Sequence, residues 1–268
     1  MKKLENLSEI YNQYDAFIID LWGVVHNGIR LNPGATEVIE KLNDKDKEII
    51  FLSNAPRPSA SVVKFLEKLQ MEKKYLKNVM TSGQAARISL EKENYGKKFF
   101  HLGPERDNVL YSGLNIEKTV IEQCDFILCT GLFDDQMEDL NFYKSLLEKY
   151  SKKKLICTNP DLTVHRGSKV EFCAGKIAEI FKDIGGEVIY FGKPHKEIYN
   201  ICLDMNKKNL IIGDNLRTDI KGANNIKMDS LFITNGVHRA EFKNDKELLK
   251  LLKNYNVNIN YFQRELIW

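Results

Sequence analysis

Four short stretches of the chain each end an apolar run on residues able to do chemistry. They are FIIDLWGVVHNG (17–28), FLSNAPRP (51–58), YFGKP (190–194) and IIGDNLRTDIKGAN (211–224). The residues they expose are Asp20, then Ser53 with Asn54, then Lys193, then Asp214 with Asp219. Three carboxylates crowd a cleft only if a cation neutralises them, and an all-oxygen set suits Mg²⁺, which keeps several waters. Mg²⁺ and a lysine together would hold a phosphoryl group and offset the charge developing on it. The Ser53 hydroxyl and nearby backbone N–H groups could hold its non-bridging oxygens. A carboxylate held among such partners can attack phosphorus and form an aspartyl-phosphate, which splits one hard displacement into two easier ones.

Taken singly, each residue has an ordinary reading. Asp20 could be a turn residue, Ser53 a turn hydroxyl, Lys193 a surface lysine, and Asp219 the cap of a helix. The GKP triplet is no P-loop, because the glycine spacing is wrong and proline stands where Ser or Thr belongs. The combination is what carries meaning. Four core strand ends, in order, each bear a residue type that phosphoryl transfer requires.

The elements that must position these residues follow from periodicity. Strands are expected at 16–21, 47–53, 126–130, 154–158, 187–191, 209–213 and 230–234, with helices at 33–44, 58–70, 138–150, 173–184, 195–204, 217–225 and 243–253. Pro33 after Asn32 and Ser59 after Pro58 mark helix starts. Unbroken β-branched runs between helices mean parallel strands covered on both faces. The fold class is α/β, a doubly wound, parallel, Rossmann-like core sheet with an inserted smaller α/β unit. Ligands of such sheets bind beyond the carboxyl ends of the strands. Chemical residues cluster in 20–54 and 193–219, so 1–81 plus 186–268 form the core and 82–185 the insertion.

Composition bounds the partners. With 268 residues the chain can bury two compact units, and 43% hydrophobic with 29% charged residues is ordinary globular material. Forty basic against 37 acidic residues leave +3, too balanced for a nucleic-acid binder. Five cysteines without a CxxC pair read as reduced thiols and no zinc site. The start MKKLENLSEIYNQYD lacks the apolar core of a signal peptide, and no window reaches a membrane-spanning 18 apolar residues. A cytoplasmic location is expected, with no membrane partner.

Together the four stretches resemble the four motifs of the haloacid dehalogenase-like (HAD) hydrolases, closest to the class IIA group of nucleotide and sugar-phosphate phosphatases. The resemblance implies that Asp20 is the nucleophile, Ser53 binds phosphate and Lys193 stabilises the phosphoryl group. It also implies that Asp214 and Asp219 serve Mg²⁺, with Asp20 and the backbone carbonyl of Trp22 completing the protein's metal contacts. Asn54 falls on the substrate side. The insertion is where this class carries its cap, and CTNPDLTVHR (157–166) resembles the cap loop that leans over the substrate. Asn159, Asp161, His165 and Arg166 are then substrate-contact candidates, against the plain alternative of an asparagine–proline turn. Pairing of two copies through the cap is a further expectation.

One position departs from the pattern. Two residues after the nucleophile the family usually carries a second Asp, which protonates the leaving group and then activates water. Here it is Trp22, whose indole N–H only donates. Three explanations stand: a phosphatase restricted to leaving groups that need little protonation, a proton supplied by another residue, or a site that survives only to bind phosphate. For the second explanation His26, on the following turn, is the candidate donor, since an unperturbed imidazole titrates near ~6.5, against the plain alternative of a solvated turn histidine. Trp22 itself is read as a wall of the substrate pocket. The leading function is a Mg²⁺-dependent phosphatase acting on a small phosphomonoester. A metal-independent dehalogenase and a non-catalytic phosphate-ligand binder are the alternatives.

Overall fold

Alternate residues of each central strand point to opposite faces of the sheet, and here both faces are apolar. In the computed structural model, which describes residues 1–166 and 169–268, this produces a seven-stranded sheet. Its order is β1 (Lys2–Lys3), β14 (Tyr261–Gln263), β13 (Asp229–Ile233), β12 (Asn209–Gly213), β2 (Ala16–Ile19), β3 (Glu48–Ser53) and β4 (Val79–Thr81). Every neighbouring pair is parallel. Phe17, Ile19, Phe51, Leu210 and Ile212 pack on one face against α1 (Pro33–Asp44) and α2 (Ser59–Lys68). Ile18, Ile50, Leu52 and Ile211 pack on the other against α3 (Ser82–Leu90), α6 (Lys196–Cys202) and α7 (Lys221–Asn225). α1 starts on Pro33 and buries Ala35, Val38, Ile39 and Leu42, a helical stripe aimed at the sheet. Burying each such side chain contributes about 1.5–3 kcal/mol.

A second sheet of five parallel strands has the order β11 (Glu187–Tyr190), β8 (Lys154–Cys157), β7 (Phe126–Cys129), β5 (Lys98–Leu102), β6 (Glu117–Lys118). α4 (Leu140–Glu148) and α5 (Ala174–Asp183) cover one face over Ile127, Cys129, Leu155 and Cys157. Phe99, Phe126, Leu128 and Ile156 pack on the other with Leu90 and Leu110. Two further strands, β9 (Thr163–Arg166) and β10 (Lys169–Phe172), pair antiparallel beside it. α8 (Asp245–Tyr255) closes a separate apolar cluster beside β13 and β14.

The segments belonging to each sheet differ from the expected 82–185 insertion at both ends. The strand at 187–190, expected in the core, pairs with β8, Glu187 opposite Lys154 and Tyr190 opposite Cys157. Val188 and Tyr190 pack into one apolar cluster of the second sheet and Ile189 into the other. A continuous apolar run signals a two-sided strand without naming its sheet, and the expected boundary followed the chemical residue Lys193 behind it instead. At the other end α3 lies on the core, with Ala85 in its apolar cluster and the Gly83 N–H bonded to the Ala55 carbonyl. The chain therefore leaves the core after α3 and returns at Gly192–Lys193. All five cysteines are free thiols. No helix among the described residues is long and apolar enough to cross a membrane.

Candidate active site

β2 lies between β3 and β12, where the strand order reverses, and the crevice at the carboxyl ends of β2 and β12 is the natural ligand position. Asp20 follows β2 directly. Its N–H bonds the Ile212 carbonyl at 2.9 Å, so the ladder fixes the backbone that carries the carboxylate. Asp214 follows β12 and fits a slot without side chains. A β-carbon on Gly23 or on Gly236 would fall 2.1 Å from Asp214 Oδ2. The Val237 N–H donates to that oxygen at 2.9 Å. Asp219 sits on a single π-helical turn, Leu216–Ile220, whose Leu216 and Ile220 are fully buried. His238 Nε2 accepts the Leu216 N–H at 3.0 Å, and His238 Nδ1 contacts Glu241 Oε1 at 2.6 Å. His238 thus braces the turn that presents Asp219, a role no sequence motif announced.

Lys193 joins the carboxylates. It is 3% exposed, and its ammonium donates to Asp20 Oδ1 and, at 2.7 Å, to Asp219 Oδ1. Asp20, Asp214 and Asp219 each offer an oxygen within 4.8 Å of the others, and all three are buried. Burial pushes the Asp20 carboxyl well above the usual range; Lys193 pulls it down, and Asp219 and Asp214 raise it further. Burial and then Asp219 raise Asp214 to about 7. Burial works against the charge on Lys193, but Asp20 and Asp219 hold it firmly protonated. Three carboxylates against one ammonium leave an excess of two negative charges when all are ionised. A dication bound through oxygen fits that set.

Ser53, at the end of β3, is 7% exposed, and its hydroxyl accepts the Ala55 N–H at 3.2 Å. Asn54 reaches further than its expected substrate contact. It bonds both backbone groups of Lys193 and donates to Asp161 Oδ1 at 3.1 Å, tying the core to the inserted sheet. Asp161 and Asn159 stand on the loop after β8, where Asn159 Oδ1 accepts the Asp161 N–H at 3.1 Å. Both line one cavity of about 580 Å³ together with Asp20, Trp22, Ser53, Asn54, Lys193, Asp214 and Asp219. Burial pushes the Asp161 carboxyl up to about 6, against the pull of Lys193 and a hydrogen bond from Asn54. The backbone of His165 lies in β9, and the side chains of His165 and Arg166 are outside the described residues.

Trp22 is half-buried in the cavity wall, its indole over Gly28, where a β-carbon would fall 2.6 Å from the ring. The structure corrects the expectation for His26. Its ring is 2% exposed, set edge-on between Trp22 and Phe65 with centroids 5.1 and 5.4 Å away. Its Nδ1 accepts the Gly28 N–H at 3.0 Å, and burial lowers its pKa to about 4. At neutral pH the imidazolium that would donate a proton is scarcely populated. His26 supports the turn and the Trp22 ring.

Sequence reasoning also missed an ion pair between the two parts of the chain. Arg57 Nε meets Asp107 Oδ1 at 2.7 Å, with Asp107 buried beside the cavity. Arg57 lies in one of the four chemical stretches, a signal available from position alone.

Comparison with known proteins agrees with this geometry. The profile described as haloacid dehalogenase-like hydrolase matches residues 17–117, and one described as HAD-hydrolase-like matches 190–251. A crystal structure of a hydrolase of the haloacid dehalogenase-like family from Brucella suis 1330 is 31% identical. It superposes with a TM-score of 0.85 over 98% of this chain and 100% of that one. The acid sugar phosphatase of Staphylococcus aureus (strain USA300) is 24% identical over 242 residues, 88% of this chain and 92% of its own. The p-nitrophenyl phosphatase from Archaeoglobus fulgidus shares the fold at 19% identity, with a TM-score of 0.73 over 94% of this chain and 96% of that one. With two parallel sheets, the motif carboxylates gathered at one sheet edge and this agreement over nearly its whole length, the chain belongs to the haloacid dehalogenase-like hydrolases, in their class IIA form.

Proposed function

We propose that this hydrolase is a Mg²⁺-dependent phosphatase that releases phosphate from a small phosphomonoester of the sugar-phosphate or nucleotide class. The observation that carries the reading is the Lys193 ammonium bridging Asp20 and Asp219 beside Asp214, with Ser53 in the same cavity. The names of the relatives, acid sugar phosphatase and p-nitrophenyl phosphatase, support the same reaction. Asp20, Asp214 and Asp219, with the Trp22 backbone carbonyl, would hold Mg²⁺, which supplies positive charge against the phosphoryl oxygens. Lys193 adds a second, fixed positive charge at the nucleophile. Ser53 and the backbone N–H groups after β3 take non-bridging oxygens of the phosphate.

Asp20 then attacks phosphorus. The phosphorus–oxygen bond to the leaving group breaks, the departing oxygen takes up a proton, and the phosphoryl group is left on Asp20. Water hydrolyses that acyl phosphate and regenerates the carboxylate. A cavity of about 580 Å³ suits a small metabolite.

A panel of phosphomonoesters assayed with and without Mg²⁺ tests the proposal. Mg²⁺-stimulated phosphate release that vanishes in Asp20→Asn is expected. Trp22 motivates a second reading, a binder of phosphate ligands without turnover. Calorimetric phosphate binding with no release from any ester would favour that reading and overturn the first.

A further inference from the structure

The core offers no acid at the position that usually supplies one. Trp22 has no proton to exchange near neutral pH, and His26 is buried and neutral. A carboxyl of the inserted sheet lines the same cavity, on the loop after β8. We propose that Asp161 is the general acid and base of this enzyme, brought to the nucleophile by the inserted sheet in place of an acid at position 22. The proposal rests on the phosphatase reading above.

The geometry holds that carboxyl in place. Asn159 Oδ1 accepts the Asp161 N–H, forming a tight turn around Pro160. A β-carbon on Gly175 would fall 2.3 Å from the Pro160 carbonyl oxygen and 2.5 Å from that of Asp161, so α5 packs directly beneath the loop. On its other side a β-carbon on Gly192, next to Lys193, would lie 3.0 Å from Pro160 Cδ. Asn54 Nδ2 donates at 3.1 Å both to Asp161 Oδ1 and to the Lys193 carbonyl, so the carboxyl and the lysine share one bracket. A proton carrier held by packing and hydrogen bonds on both sides keeps the geometry that proton transfer demands.

The groups facing Asp161 are Lys193, Asp219 and Asp214 from the core and the Cys157 and Cys173 thiols from the inserted sheet. Burial outweighs the lysine and lifts the carboxyl to about 6, close to where a group must both give and take a proton near neutrality. In the first step Asp20 Oδ bonds to phosphorus, the ester P–O bond breaks, and the Asp161 proton passes to the leaving oxygen, giving an alcohol and an Asp161 carboxylate. In the second, water bonds to phosphorus and the bond to Asp20 breaks. The water proton passes to Asp161, so both carboxyl groups return to their starting states.

The test compares wild type with Asp161→Asn on an alkyl phosphate and on p-nitrophenyl phosphate, both with Mg²⁺. The amide can turn its oxygen to Asn54 and keep the bracket while losing the proton. With the alkyl ester, turnover should fall about 10²–10³-fold without a burst, since the leaving alkoxide is unprotonated. With p-nitrophenyl phosphate, whose leaving group needs no proton, the variant should release one p-nitrophenolate per enzyme in a fast burst. Slow turnover should follow as phosphate stays on Asp20. Asp161→Ser, which removes the carboxyl with a smaller polar side chain, should give the same burst, and serves if the first variant does not fold. Wild-type rates on both esters, or equal losses on both without a burst, overturn the proposal and leave Asp161 structural. If wild type itself shows no Mg²⁺-stimulated release from either ester, the phosphatase reading fails and carries this inference with it.

Discussion

Asn54 pairs both backbone groups of Lys193: its Oδ1 accepts the Lys193 N–H at 2.8 Å and its Nδ2 donates to the Lys193 carbonyl at 3.1 Å. The lysine that spans two active-site carboxylates is therefore placed by the residue following Ser53, from a strand far away in sequence. Asn54→Ala would strand two buried backbone groups, at a cost of about 1–3 kcal/mol for each left unsatisfied. Urea unfolding should show a loss of about 2–6 kcal/mol when both stay unsatisfied, together with a lower kcat. Unchanged stability would mean that Lys193 holds its place without Asn54.

Asp214→Asn tests the metal site. The Val237 N–H can still find an oxygen on the amide, so the fold should persist. Removing a carboxylate should weaken Mg²⁺ binding by roughly tenfold or more, since each tenfold is only about 1.4 kcal/mol. Isothermal calorimetry reads this directly, and an unaltered affinity would remove Asp214 from the metal ligands.

Lys193→Met keeps most of the buried stem and deletes the charge. Asp20 and Asp219 then face each other without their shared ammonium. By analogy with the loss of one donor to a developing anion, kcat should fall about 10²–10³-fold. The rise in Tm on adding Mg²⁺ should exceed that of wild type, because the cation then answers more uncompensated charge. Equal activity in the two proteins would exclude Lys193 from the reaction.

The Arg57–Asp107 pair links the core to the inserted sheet. Arg57→Ala leaves a buried carboxylate without its partner and should cost about 1–3 kcal/mol. That is less than for a fully buried pair, because the Arg57 side chain is 39% exposed. Adding Asp107→Asn should recover part of the loss, giving a coupling energy in a double-mutant cycle. KM should rise more than kcat falls, since the pair closes the cavity without touching the nucleophile.

His26 gives a pH signature. Its pKa is about 4 in the fold, against about 6.5 in an unfolded chain. Between those values the unfolded chain binds more protons, so the stability contributed by neutral His26 is complete above about pH 6.5 and is lost as pH falls toward 4. The stability advantage of wild type over His26→Asn should therefore shrink as urea titrations move from pH 7 to pH 4. A constant difference would mean that the ring is not held neutral by burial.

Much of the site could be read from the sequence because its logic is local. An apolar run of four to six residues makes a strand, parallel strands present their carboxyl ends to one edge, and the next residue in chain lies at that edge. Asp20, Ser53 and Asp214 follow from this rule, and each stands where it places them, while Asp219 reaches the same edge on the turn after β12. Lys193 reached the same edge by a different route, since the strand before it belongs to the inserted sheet. Sheet membership depends on which apolar cluster the flanking side chains enter, and periodicity is blind to that.

Burial decided the remaining roles. His26 and Asp161 both carry titratable side chains beside turn residues, and as sequence His26 is the more natural proton donor. In the fold, His26 is enclosed between Trp22 and Phe65 and loses its proton, whereas Asp161 accepts a hydrogen bond from Asn54 and, buried near Lys193, has its carboxyl pushed up. The sequence by itself determined the strands, the strand ends and the chemistry they carry, because those follow from patterns a few residues long. Only the tertiary structure decided which sheet each strand joined, which groups kept a charge and what faces what across the cavity, because desolvation and opposition depend on residues more than a hundred positions apart, as Asn54 and Asp161 are.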